Sequence, residues 1–229
     1  VLAWGLLAWM ALDMSGPLAR LVMPATASWT LAAGLAVWTM WAVMMAAMML
    51  PSALPMVSAF AEVSARSGEP ARSRAFVTAY LLVWSLFSTL AAILQWALQA
   101  AGWTNPMIES TSAPFSAALL LIAGVYQFSP LKRLCLSRCR TPMGFLLGEW
   151  RPGVGGAWRM GLRHGLSCLG CCWALMALLF VGGAMNLAWV AALALLVAVE
   201  KLLPRGEGLA RWLGLLLIAA GGLKLAAVL

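Results

Sequence analysis

The chain has 229 residues, of which 64% are hydrophobic and 10% are charged. Soluble globular domains carry about 25% charged residues, so this composition excludes a water-soluble fold and predicts an integral membrane protein. The formal charge of +8 does not indicate a nucleic-acid-binding protein, because the basic residues lie in the connections between apolar segments and not on one continuous face.

Long apolar segments divide the chain into predicted transmembrane helices. Most approach the length of about 20 residues that crosses a bilayer as a helix, in which the backbone satisfies its own hydrogen bonds. The predicted fold class is therefore all-α, a polytopic helical transmembrane bundle of six to seven spans in one domain. The spans cover about residues 1–14, 32–60, 76–101, 115–129, 161–181, 185–203 and 211–228. The first span is short and the chain begins with Val1, so we expect an abbreviated N-terminus rather than a cleavable signal peptide.

Basic residues predict the orientation of these spans. All fifteen Lys and Arg residues except Arg20 and Lys224 fall in or beside alternate connections, which the positive-inside rule assigns to the cytoplasm. The longest connection, about 130–160, is predicted to be a basic cytoplasmic loop. We therefore expect a multi-pass protein of the bacterial inner membrane, with its N-terminus in the cytoplasm and its C-terminus outside.

The second span is rich in methionine. At about 100° per residue, Met40, Met44 and Met48 form one ridge of the helix, and Met45 and Met49 form the neighbouring one. A thioether is a soft, neutral donor that suits Cu(I). Methionine also fills irregular gaps between helices, and for the ridge alone packing is the favoured interpretation.

The fifth span carries three cysteines within five positions. Cys168, Cys171 and Cys172 are three and four residues apart, so their thiols lie on one side of the helix and can chelate a soft metal. Cys168 and Cys171 also form a Cys-x-x-Cys, the spacing of thiol–disulfide exchange. A buried cysteine needs no function, but three so close together favour a functional cluster over filler.

Other residues are weaker candidates. Cys135 and Cys139 lie in the basic connection, where a point of metal uptake or release is the favoured interpretation. Glu200 is an acid near the end of a span, and pairing with Lys201 is as well supported as a functional role. His164, the single histidine, is expected to be an interfacial residue rather than a ligand.

Several of these stretches together resemble a known family. They are residues 40–55, 126–132 with Cys135 and Cys139, 165–176, 183–186 and 200–201. The chain resembles the uncharacterised bacterial family labelled "predicted metal-binding integral membrane protein", a family of unknown function, over about residues 35–203. The resemblance implies a metal-binding membrane protein and no defined activity. Met185 and Glu200, which lie in these stretches, join Cys135 and Cys139 as weaker metal candidates.

Three functions are compatible with the sequence. Soft sulfur donors on two helices favour binding or movement of a soft metal, most of all copper(I). The alternatives are an accessory or structural subunit of a larger membrane complex, and a membrane thiol–disulfide oxidoreductase. Expected partners are the lipid bilayer and other membrane or periplasmic subunits, and no nucleic acid. An enzyme is not favoured, since a phosphate-binding loop is missing and one histidine cannot build a catalytic triad.

Overall fold

The structure is a computed structural model that describes residues 2–13, 16–24, 28–203 and 206–227. In these ranges it contains eleven helices and no strand beyond an isolated bridge between Thr104 and Ser110. The helices are α1 (Leu2–Leu12), α2 (Pro17–Val22), α3 (Leu31–Arg66), α4 (Pro70–Ala100), α5 (Ala113–Tyr126), α6 (Pro130–Arg140), α7 (Pro142–Glu149), α8 (Gly153–Ala177), α9 (Leu179–Gly182), α10 (Leu187–Leu202) and α11 (Gly206–Ala226). The predicted all-helical class is confirmed.

Fewer helices than predicted are long and apolar enough to span a membrane, among the described residues. Four stretches of the described chain are long and apolar enough to cross a membrane: α3, α4, α8 continued by α9, and α11. A fifth results if α5 and α6, which meet at a bend of 66°, count as one broken span. The prediction of six to seven spans is not confirmed. At about 1.5 Å per residue, α1 and α10 extend only about 16 and 24 Å, less than the hydrocarbon thickness of about 30 Å.

Part of the basic connection is helical. The stretch 130–160, predicted as a loop, contains α6, α7 and the first turns of α8. Helix α6 begins where the Ser129 side chain accepts a hydrogen bond from the backbone N–H of Leu131, with Pro130 at the first helical position. Its Lys132 and Leu136 are buried. The loop prediction was wrong because α6 is short and rich in basic residues, and its sequence does not reveal that one side of the helix faces the interior.

Small residues bring the long helices into close contact. On α8, a Cβ added at Gly165 would come within 2.8 Å of a Val83 methyl group on α4. Between α5 and α11, a Cβ at Gly124 would lie 2.9 Å from the Gly214 carbonyl oxygen, and one at Gly214 would lie 3.0 Å from the Gly124 carbonyl oxygen. Such approaches are typical of helix packing in membranes, where close backbone contact replaces the hydrophobic driving force. They fix α8 against α4, which positions the cysteines of α8 in the interior.

Candidate metal centre

The two neighbouring rows of methionine on α3, which we together call the methionine ridge, face the interior of the bundle. The five members of the ridge are all buried: Met40, Met44, Met45, Met48 and Met49. Met49 lies at the point where α3 meets the cysteines of α8, since the Cys172 thiol donates a hydrogen bond to the Met49 sulfur at 3.8 Å. The two sulfur-bearing segments of the sequence therefore meet in the folded protein.

The three cysteines of α8 are buried and share one side of the helix. The Cys171 and Cys172 thiols each donate to the Cys168 carbonyl oxygen at 3.0 Å. The Cys168 sulfur instead faces neighbouring helices: it lies 3.1 Å from the Tyr80 hydroxyl of α4. The arrangement leaves Cys168 between α4 and α10, with the other two thiols one turn further along α8.

A fourth thiol comes from α6. The half-buried Cys139 side chain packs against the buried core that contains Cys168 and Cys171. We call these four residues, Cys139, Cys168, Cys171 and Cys172, the thiol cluster. Cys135, one turn before Cys139, packs instead against the backbone of α8, because a Cβ at Gly170 would come within 2.6 Å of its sulfur. All five cysteines are free thiols.

Lys201 is a functional candidate that the sequence analysis did not single out. Its ammonium group lies 3.0 Å from the Cys168 sulfur, 3.2 Å from the Ser52 hydroxyl and 3.9 Å from the Met49 sulfur. The side chain is buried. A lysine at the end of an apolar helix is expected to extend to the interface, so its turn into the interior has no local signal in the sequence.

Glu200 turns away from the thiol cluster. Its carboxylate pairs with the Lys132 ammonium group of α6 at 2.7 Å, and both side chains are buried. The other oxygen, Oε1, has no hydrogen-bond partner among the described residues. The pairing considered in the sequence analysis, between Glu200 and Lys201, is therefore wrong. Consecutive residues on a helix point about 100° apart, so the two charges serve different neighbours.

His164 is buried rather than interfacial. It is 2% exposed and lies among the rings of Phe76, Tyr80 and Phe145, at centroid distances of 5.6 to 5.8 Å. Within the described residues, neither ring nitrogen has a hydrogen-bond partner. It precedes Cys168 by one helical turn. The expectation of an interfacial side chain was wrong because α8 begins about eight residues earlier than the predicted span, which moves His164 into the helix interior.

The remaining predicted candidate, Met185, lies in the turn between α9 and α10. It lines a small cavity together with Met10 and Met44. Met40, Met45 and Met48 lie in the same buried core as the thiol cluster and Met49. The predicted sulfur residues thus share one buried core, within which Met44 and Met185 line a cavity and Met49 contacts the thiol cluster.

The chemistry of the thiol cluster fits Cu(I) as a cargo. Thiols and a thioether are the ligands that soft monovalent copper prefers, and the adjacent ammonium group offsets the charge of thiolates. In the part of the chain that the structure describes, no three His, Cys, Asp or Glu side chains already stand in metal-binding geometry. Binding of Cu(I) by these thiols would require Cys171 and Cys172 to lose their protons and turn away from the Cys168 carbonyl group.

Comparison with known proteins identifies the family. No curated protein and no solved structure matches the chain. A family model described as "PpoB2: Copper chaperone" matches residues 38–224, a range that contains the methionine ridge of α3, α6 and the cysteines of α8. This supports a metal-related family, as the resemblance implied, whereas the label "predicted metal-binding integral membrane protein" stays a prediction. The match covers most of the chain, which therefore belongs to the copper chaperone family PpoB2.

Proposed function

We propose that this chain is a membrane copper chaperone that holds Cu(I) between the thiol cluster and Met49 and then passes it to a partner protein. The observation that carries the proposal is the contact of 3.8 Å between the sulfur atoms of Cys172 and Met49. It joins two segments that are separated by more than one hundred residues and that each carry soft donors. Packing alone does not require sulfur on both sides of this contact.

Lys201 gives the proposed site its charge balance. Two thiolates that bind Cu(I) form a complex of net charge −1, and an uncompensated charge in a membrane interior is costly. The Lys201 ammonium group, 3.0 Å from the Cys168 sulfur, makes the assembly neutral. A thiolate site of this kind selects Cu(I) over harder ions, which prefer oxygen ligands.

Binding and release follow from ligand exchange without oxidation or reduction. Each thiol loses its proton to the solvent as a copper–sulfur bond forms, so the copper stays Cu(I) throughout. Cys139 is the most exposed member of the thiol cluster and is therefore the thiol that an incoming or outgoing ligand reaches first. A partner with a thiol or thioether at its own site takes the ion by replacing these ligands one at a time.

The proposal also covers the location and orientation of the protein in the membrane. We propose a multi-pass protein of the bacterial inner membrane with its N-terminus in the cytoplasm, on the basis of the basic connections. The recipient of the copper is then another membrane or periplasmic subunit. The role of an accessory subunit is compatible with this proposal. A thiol–disulfide oxidoreductase is less well supported, since Cys168 and Cys171 are each 1% exposed and a protein dithiol cannot reach them.

Cu(I) competition titration of the purified full chain tests the proposal. We expect the Cu(I) affinity of C168S/C171S/C172S at neutral pH to be at least 100-fold lower than that of the wild type, because serine oxygens are poor ligands for Cu(I). This corresponds to a loss of about 2.7 kcal/mol of binding free energy. C135S is the matched control, since Cys135 packs against Gly170 outside the thiol cluster, and it should bind as the wild type does. Equal affinities for the triple variant and the wild type would rule out the thiol cluster.

A further inference from the structure

We infer that the cavity between Met10, Met44 and Met185 is a second, thioether-only site for Cu(I), which loads the thiol cluster; the inference rests on the proposed function. The three methionines come from three separate parts of the chain: α1, α3 and the turn before α10. All three side chains are buried. Their convergence on one cavity brings together segments that are distant in sequence.

The lining of the cavity selects the kind of ligand. Besides the three methionines it consists of aliphatic side chains, namely Leu7, Ala11, Ala184, Leu187 and Val190. The thioether sulfurs are thus the soft donors of the lining residues. None of the lining residues carries a carboxylate or an imidazole that would bind a harder ion. A cavity of about 10 Å³ has room for a bare ion and not for a hydrated one. A soft monovalent ion, Cu(I), fits these conditions.

The charge at each site sets the direction of transfer. Three thioethers are neutral, so a bound Cu(I) keeps its full positive charge among aliphatic side chains, which weakens binding. At the thiol cluster, thiolates cancel that charge and Lys201 balances the excess. Cu(I) therefore binds more weakly at the methionine cavity and moves spontaneously to the thiol cluster.

The ridge of α3 connects the two sites. Met44 lines the cavity, and Met49 contacts Cys172 five residues later, about 7.5 Å along the helix. Met45 and Met48 lie between them and are both buried. They supply intermediate thioether ligands over this distance. In the predicted orientation, Met185 and the C-terminal end of α1 face the outer side, so the cavity would receive copper from outside the cytoplasm.

Metal binding at two pH values separates the sites. Thioethers carry no proton, whereas thiols keep theirs at about pH 5. We expect the wild-type full chain at about pH 5 to bind one Cu(I), supplied as the metal alone with a weak competing chelator. The Cu(I) affinity of M10L/M185L at this pH should be at least tenfold lower, because leucine keeps the volume of methionine and removes the sulfur donor. M160L is the matched control, since Met160 is fully buried in a different apolar cluster.

Two results decide the inference independently of the proposed function. Low-pH binding by M10L/M185L at the wild-type level would overturn the methionine cavity as a site, whatever happens at neutral pH. Low-pH binding that survives in C168S/C171S/C172S and disappears in M10L/M185L supports the cavity. Failure of the thiol cluster would appear separately, as neutral-pH affinity that the triple serine variant does not change.

Discussion

At the scale of single residues, Lys201 places a positive charge beside the sulfur atoms of the proposed copper site. Its ammonium group lies 3.0 Å from the Cys168 sulfur and 3.9 Å from the Met49 sulfur, and the side chain is buried. The sequence analysis did not find this role because helix rotation decides whether a terminal lysine turns outward or inward. The methionines and cysteines could be predicted, since their spacing alone places each group on one helix face. The contact between Met49 and Cys172 could not, because helix neighbours are not encoded in local periodicity.

Removal of the Lys201 charge should weaken copper binding. We expect K201Q to lower Cu(I) affinity about tenfold, or about 1.4 kcal/mol, because the thiolate complex then keeps a net negative charge in a low-dielectric interior. Competition titration at neutral pH measures the change. K224Q removes an exposed lysine at the end of α11 and should behave as the wild type. An unchanged affinity in K201Q would show that Lys201 does not balance the bound complex.

At the scale of helices, the buried pair of Lys132 and Glu200 holds α6 against α10. Helix α6 carries Cys139 and α10 carries Lys201, so the pair positions two groups of the proposed site. Apolar blocks predicted the long helices well, although α8 begins earlier than expected. Helix α6 was missed because a short, basic segment looks like a loop unless its buried neighbours are known.

Loss of one partner of this pair should destabilise the protein. We expect K132M to lower the free energy of unfolding by about 3–5 kcal/mol, since it leaves the Glu200 carboxylate buried without a counter-charge. K132M/E200L should recover much of that loss because no buried charge remains. Thermal unfolding in detergent measures both variants. Should K132M and the double variant unfold at the same temperature as the wild type, the pair would not hold the two helices together.

At the scale of the whole molecule, the fold gathers sulfur donors into the interior of a helical bundle. Residues of α3 and α8 meet Lys201 of α10 around one point, and Cys139 of α6 packs against the same core, although these residues are far apart in the chain. Composition alone predicted an all-helical protein with long apolar helices. The number of spans is not confirmed, since α1 and α10 are apolar but shorter than the hydrocarbon thickness of a bilayer.

The central claim is that Cu(I) is held by sulfur from the thiol cluster and Met49. X-ray absorption at the copper edge, recorded at neutral pH on the full chain loaded with one equivalent of Cu(I), tests it most directly. We predict a first shell of sulfur alone at about 2.3 Å, by analogy with other thiolate-bound metals, and a changed shell in C168S/C171S/C172S, which keeps only Cys139 of the thiol cluster and the thioethers as sulfur donors. A first shell of nitrogen or oxygen, or a sulfur shell that persists unchanged in the triple variant, would contradict the claim.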